Sequence, residues 1–211
     1  MSERETCVYT VHFAVPTMYD AGPTRNDPMT TTPPVATVRV FPAFAVAVLA
    51  LAGSLWLSIG MALKACPLCF YQRTFVMGVV AVLGVGMLAS ARHRAVLPAL
   101  ALPLAVAGLT VAAFHVALEL QGKLECPAGV MGAGTAPQQS LAALTVLTLL
   151  VARGAVRAGR AGESGFATLA GALLGVLLGV ASILSAPPMP PAPPKAYETP
   201  LDMCRPPFVP E

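Results

Sequence analysis

The sequence predicts an all-α membrane protein: a four-helix transmembrane bundle plus a fifth, C-terminal transmembrane helix. Three observations support this. Hydrophobic residues make up 56% of the chain and charged ones only 11%, whereas a soluble domain carries about 25% charge because its surface must face water. Five long stretches are nearly free of charge, and each can cross about 30 Å of hydrocarbon as a helix. Arginines gather in alternate connections between them, as the positive-inside rule requires of a multi-pass chain. Lipid is therefore the main solvent. The net charge of +3 comes without a Lys/Arg run, which excludes nucleic acid as a partner.

Residues 1–38 are polar, mixed and proline-bearing, without apolar periodicity, and are read as a disordered N-terminal arm. The apolar stretch begins only near Val40, so the arm is not a secretory signal. Met29 would make a natural short start, and residues 1–28 are expected to be dispensable or a start-site artefact. The predicted spans are Phe41–Leu63, Phe70–Ala91 and Ala95–Leu120, then a weaker fourth starting near Gln138 with its core at Leu141–Ala152, and finally Phe166–Ser185. Residues 39–152 form the four-span bundle, 153–165 a loop, and 186–211 a proline-rich tail, extended rather than helical.

Arg39, the Arg92/Arg94 connection and the Arg153/Arg157/Arg160 connection fall on one side, which is assigned as cytoplasmic together with the N-terminus. The opposite side receives Lys64–Cys69, the loop 121–138 and the tail. Cysteines stand at 7, 66, 69, 126 and 204. All but Cys7 then reach the outer face, the compartment where disulfides persist. A four-span model would put Cys204 on the other side and break this pattern.

The segment Lys64-Ala-Cys66-Pro-Leu-Cys69-Phe-Tyr-Gln-Arg73 carries the chemistry. Its C-x-x-C begins the second helix, where unpaired N–H groups and the helix dipole favour a thiolate. Arg73 follows Cys69 by one helical turn. A permanent cation at membrane depth is costly and should face a protein interior or a ligand, although snorkelling to the interface is the plainer alternative. Such a dithiol can hand electrons to an acceptor bound at the bilayer edge. A zinc half-site is the competing use of C-x-x-C, but the remaining cysteines are single and distant.

Cys66-Pro-Leu-Cys69-Phe-Tyr-Gln-Arg73 resembles the active-site signature of the DsbB family, membrane oxidases that re-oxidise the thioredoxin-fold protein DsbA and keep the bacterial periplasm oxidising. The resemblance extends through Phe114-His115-Val116 and Leu124-Glu125-Cys126-Pro127, roughly Val40 to Ala152. It implies a protein of the bacterial inner membrane, a quinone cofactor (ubiquinone or menaquinone) and a DsbA-like partner. It further implies that Cys66 and Cys69 are the redox pair, with Cys69 as the thiolate facing the quinone. Arg73 would hold the quinone, His115 would lie near it, and Cys126 would be attacked by the partner.

One departure is evident. The family's second loop cysteine lies in the same loop as the first, whereas here the loop 121–138 holds only Cys126. Its expected mate is Cys204, beyond the fifth span, with two independent thiols as the alternative. The rival readings are a vitamin K epoxide reductase-like oxidase and a non-catalytic metal-binding or transport module. The first carries its C-x-x-C late rather than after span one. The second needs intramembrane carboxylates or histidines, and only His115 and Glu119 are present, near one surface. Export of reductant from the cytoplasm would need inward-facing cysteines, and only Cys7 qualifies.

Overall fold

The computed structural model describes residues 35–88, 96–160, 165–188, 191, 193, 196–198 and 200–208. The chain divides into Met1–Thr32 and Pro33–Glu211. The first unit, and with it the expectation of a disordered arm, lies outside the described residues, as do Cys7, Arg92 and Arg94. Five helices follow: α1 (Val35–Ile59), α2 (Pro67–Leu88), α3 (Leu97–Leu120), α4 (Ala136–Arg160) and α5 (Gly165–Ser185). All five are long and apolar enough to cross a membrane. Large apolar side chains such as Leu49, Trp56, Leu88, Leu149 and Leu177 are exposed, which in a multi-pass chain is the surface that lipid covers.

Several boundaries differ from the sequence expectation. Residues 35–38, assigned to the arm, are the first turn of α1. α1 stops at Ile59 rather than Leu63, because Gly60 and Met61 both turn back to the Trp56 carbonyl and Ala62 takes a left-handed φ of 54°. α2 starts at Pro67, not Phe70, with proline at the first helical position, where its missing N–H costs nothing. α4 starts at Ala136, ahead of Gln138. Thr135 caps it, accepting at Oγ1 from the Gln138 N–H at 3.4 Å. Thr135-x-x-Gln138 is a capping-box pattern that hydropathy alone does not reveal.

The largest correction is at the other end of α4. It runs to Arg160, through most of the segment 153–165 expected to be a loop. Val151 and Ala155 are buried while Arg153 and Arg157 are exposed on the far side. Good helix formers with an apolar stripe let the helix carry its cations out of the lipid without ending.

α3 is the central helix, packing against α2, α4 and α5, while α1 packs against α2 and α4. Its buried residues come from all around the helix, Ala101, Leu102, Ala105, Val111 and His115 among them. α5 docks on α3 through Gly171, Gly175 and Gly179. A Cβ at Gly175 would lie 2.6 Å from the Pro103 carbonyl oxygen, so the two backbones approach as only a small residue allows. This contact returns the chain to the end of the bundle where the α1–α2 and α3–α4 connections lie.

Candidate functional site: two cysteine pairs at one end of the bundle

The site begins as a helix cap. Cys66 is the N-cap residue of α2: its carbonyl accepts the first helical bond from the Phe70 N–H at 2.9 Å. Its Sγ accepts from the Cys69 N–H at 3.2 Å. A sulfur in this position completes one of the helix's orphan donors. Cys66 Sγ and Cys69 Sγ lie 2.8 Å apart, unbonded. The neighbouring Cys69 thiol, then His115 and the Cys69 backbone N–H, bring the Cys66 thiol down from 9.0 to about 5, with burial opposing.

The second pair is assembled by tertiary structure. α3 ends in a Schellman motif: Lys123 N–H reaches the Leu118 carbonyl at 3.0 Å and Gly122 N–H the Glu119 carbonyl at 2.9 Å. Gly122 has φ +68°, which glycine adopts freely. The chain thereby turns into Leu124-Glu125-Cys126. Gln139 of α4 clamps the rest of this connection, donating to the Val130 and Ala133 carbonyls and accepting from the Val130 N–H.

The tail lies alongside. Glu125 and Arg205 exchange backbone bonds of 2.8 and 3.0 Å. Lys64 N–H donates to the Asp202 carbonyl at 2.8 Å, and Lys64 Nζ pairs with Asp202 Oδ2 at 2.8 Å. The Arg205 guanidinium stacks on Tyr197 at 3.8 Å. Held so, Cys204 forms a disulfide with Cys126, their Cα atoms 4.2 Å apart.

Both pairs share one apolar cluster with Leu68, Val111, Leu118 and Leu124. Cys204 Sγ lies within 4.8 Å of the Cys66 and Cys69 sulfurs and of a His115 ring nitrogen. Sulfurs this close to a disulfide can exchange with it. The same four donors have the composition of a zinc site. Cys204, however, is committed to its disulfide and leaves only three.

Cys69 and Cys204 both line a cavity of about 390 Å³ between α1, α2 and α4. Leu49, Leu57, Val76 and Leu144 supply apolar walls, with Arg73 and Ser140 among the polar groups. Arg73 does not snorkel: it crosses to α1, donating from Nε to Ser54 Oγ at 3.0 Å. Its Nη2 donates to the Ser54 carbonyl at 2.9 Å and to Ser58 Oγ at 2.6 Å. Ser54 and Ser58 stand one turn apart and are the polar residues of α1 after Arg39, a pairing visible in the sequence.

A family model described as Disulfide bond formation protein DsbB matches residues 37–146, just over half the chain. The chain belongs to the DsbB family. No match was found among curated proteins or among solved structures. This DsbB-family chain is a multi-pass membrane disulfide oxidoreductase. The matched region contains Cys66, Cys69, Arg73, His115 and Cys126; α5 and Cys204 lie beyond it.

His115 does not line the cavity beside Arg73. It is fully buried, with Nε2 3.6 Å from Cys126 Sγ and 3.9 Å from Cys66 Sγ.

Proposed function

We propose that this protein re-oxidises a periplasmic, DsbA-like thioredoxin-fold partner and passes the electrons to a quinone in the bacterial inner membrane. The observation that carries this reading is the cluster of sulfurs, with Cys204 of the Cys126–Cys204 disulfide within 4.8 Å of both Cys66 and Cys69, set against an apolar cavity that Cys69 lines. In this reading the partner's thiolate attacks the Cys126–Cys204 disulfide and leaves oxidised. The resulting dithiol then reduces the Cys66–Cys69 pair. A DsbA-type oxidant sits near roughly −120 mV, too oxidising for glutathione couples to accept its electrons.

The cavity fits the cofactor class: its walls are largely apolar, it lies among membrane-spanning helices, and Arg73 and Lys64 are among the residues that line it. A quinone held there would supply a two-electron acceptor. Cys69 would offer it a sulfur, and Arg73, braced by Ser54 and Ser58, would hold its polar end. The bilayer-facing helices exclude water from the site.

The test is thiol trapping of dithiol-reduced protein, with and without added quinone, on the wild type and on Cys66→Ala and Cys69→Ala. Re-oxidation that requires quinone and is abolished in both variants supports the reading. Thiols that stay reduced with quinone present would overturn it, and metal binding at Cys66 and Cys69 would be measured next.

A further inference from the structure

Among the described residues, His115 is the one buried titratable side chain that touches both cysteine pairs. Its other nitrogen is also engaged: Gln72 Nε2 lies 3.3 Å from Nδ1. The orientation of Gln72 is set in turn by α4, because the Ser140 hydroxyl donates to Gln72 Oε1 at 2.5 Å. With Oε1 occupied by Ser140, the amide presents its N–H₂ to the imidazole. Nδ1 is then the acceptor, and the ring proton of the neutral imidazole sits on Nε2, aimed at the sulfurs. Gln72 and His115 are both buried, so water does not compete for these bonds.

We infer that His115 Nε2–H is a shared hydrogen-bond donor for the leaving thiolates of both cysteine pairs, and that Gln72 and Ser140 hold it in that tautomer. The inference rests on the relay reading above and adds the group that makes its internal exchange fast. With Cys66–Cys69 as the disulfide and Cys126 and Cys204 as thiols, a deprotonated loop sulfur attacks Cys66. The Cys66–Cys69 bond breaks and its electron pair leaves on Cys69. The second loop sulfur then attacks the first: the Cys126–Cys204 bond forms and the pair leaves on Cys66, facing Nε2–H. Two electrons have moved between the pairs, and the two protons given up by the loop thiols return to Cys66 and Cys69. When the partner's thiolate attacks Cys126, Cys204 is the sulfur that leaves; Cys126 is expelled in turn when the partner's second thiolate resolves the mixed disulfide, and it then meets the same N–H. A thiolate stabilised in place leaves faster, and a fixed donor in a dry site needs no reorganisation to serve it. His115 is thus a catalytic residue of the exchange, whereas Gln72 and Ser140 are positioning residues.

The experiment mixes quinone-free, fully oxidised full-length protein with one equivalent of reduced partner. Acid quench and mass-tagged alkylation then follow which pair is reduced. Wild type should reduce Cys126/Cys204 first and Cys66/Cys69 second; absence of the second phase in wild type would sink the relay itself. Given that phase, His115→Ala should slow it on the order of 10–100-fold, and His115→Gln, which restores an N–H, should recover most of the loss. An His115→Ala variant that transfers at the wild-type rate overturns the inference. Because that variant can also disturb folding, ¹⁵N-histidine spectra of the wild type give an independent reading. Nε2 of His115 should be protonated and Nδ1 bare, with Gln72→Leu mixing the tautomers and slowing the second phase about fivefold. A protonated Nδ1 in the wild type overturns the inference.

Discussion

Cys66 and Cys69 are brought together by a single turn of α2, with the first capping the helix that carries the second. Cys126 and Cys204 stand 78 residues apart and meet only because α5 returns the chain to the same end of the bundle. The first pair is local, and its geometry survives wherever that helix start forms. The second depends on the α3–α5 contact, on the Schellman turn at Gly122 and on the backbone bridge between Glu125 and Arg205. In the proposed relay, the pair assigned to the membrane acceptor is thus built within one helix, and the pair assigned to the soluble partner on long-range contacts. Local opening requires little free energy where main-chain bonds are few.

Breaking the long-range pair should have the largest consequence. Cys204→Ala removes a group that forms a covalent bond in the proposed reaction. Turnover with a reduced thioredoxin-fold partner should fall by at least about 100-fold, measured as initial rates. It should also lose up to about 4 kcal/mol of denaturant stability, the chain-entropy value for a loop this long. Retained turnover would mean that Cys126 works alone, and that the tail only covers it.

The next effect probes how the tail is delivered. Gly175→Val forces side-chain atoms against the Pro103 carbonyl, where even a Cβ lies only 2.6 Å away. It should cost about 1–3 kcal/mol, as overpacking does, and lower the fraction of molecules holding the Cys126–Cys204 bond in quantitative alkylation. Gly53→Ala in α1, with nothing within 4 Å of its Cβ, is the matched control and should not reduce that fraction. If both variants behave alike, the α3–α5 approach does not position Cys204.

What could be read in advance follows the same division between local and long-range. Five spans, their order and the gathering of four cysteines at one end of the bundle were legible, because each is written in runs of adjacent residues. The C-x-x-C and Arg73 were legible for the same reason. The pairing of Cys126 with Cys204 could be expected from topology, but nothing in the sequence displays the Lys64–Asp202 and Glu125–Arg205 ties that align them. The contacts of His115 with the Cys66 and Cys126 sulfurs were not legible, because they follow from α3's central place in the bundle. α4's length was underestimated because arginine ends a hydropathy window without ending a helix.

A smaller effect separates the pairs by pH. With Cys66 held at about 5 in the folded protein against 9.0 for an ordinary thiol, its contribution to the stability of the dithiol form is complete above pH 9. It declines as pH falls from 9 and is lost below about 5. Thiolate absorbance and alkylation rate at Cys66 should therefore be level across neutral pH and drop through about pH 5. The Cys126–Cys204 pair, as a disulfide, does not titrate. Cys69→Ala removes the largest cause of the Cys66 lowering and should move the drop to higher pH; an unmoved drop would deny the neighbouring thiol that role.

The smallest effect expected is at the ion pair that ties the tail to the α1–α2 connection, Lys64 with Asp202. Lys64 holds the Asp202 carboxyl below its ordinary 3.8, so the pair persists through neutral and mildly acidic pH and is lost as pH falls through that lowered value. Both side chains reach solvent, at 71% and 35% exposure, where salt screens the attraction and little stability is gained. Asp202→Asn keeps the backbone carbonyl that accepts from the Lys64 N–H. Hydrogen exchange at residues 202–205 should rise only slightly in this variant, and the difference should vanish at high salt. Lys64→Pro deletes the N–H donor and should open the same amides far more, at any ionic strength. An Asp202→Asn effect as large as that of Lys64→Pro would mean that charge, rather than main-chain pairing, keeps Cys204 in reach of Cys66.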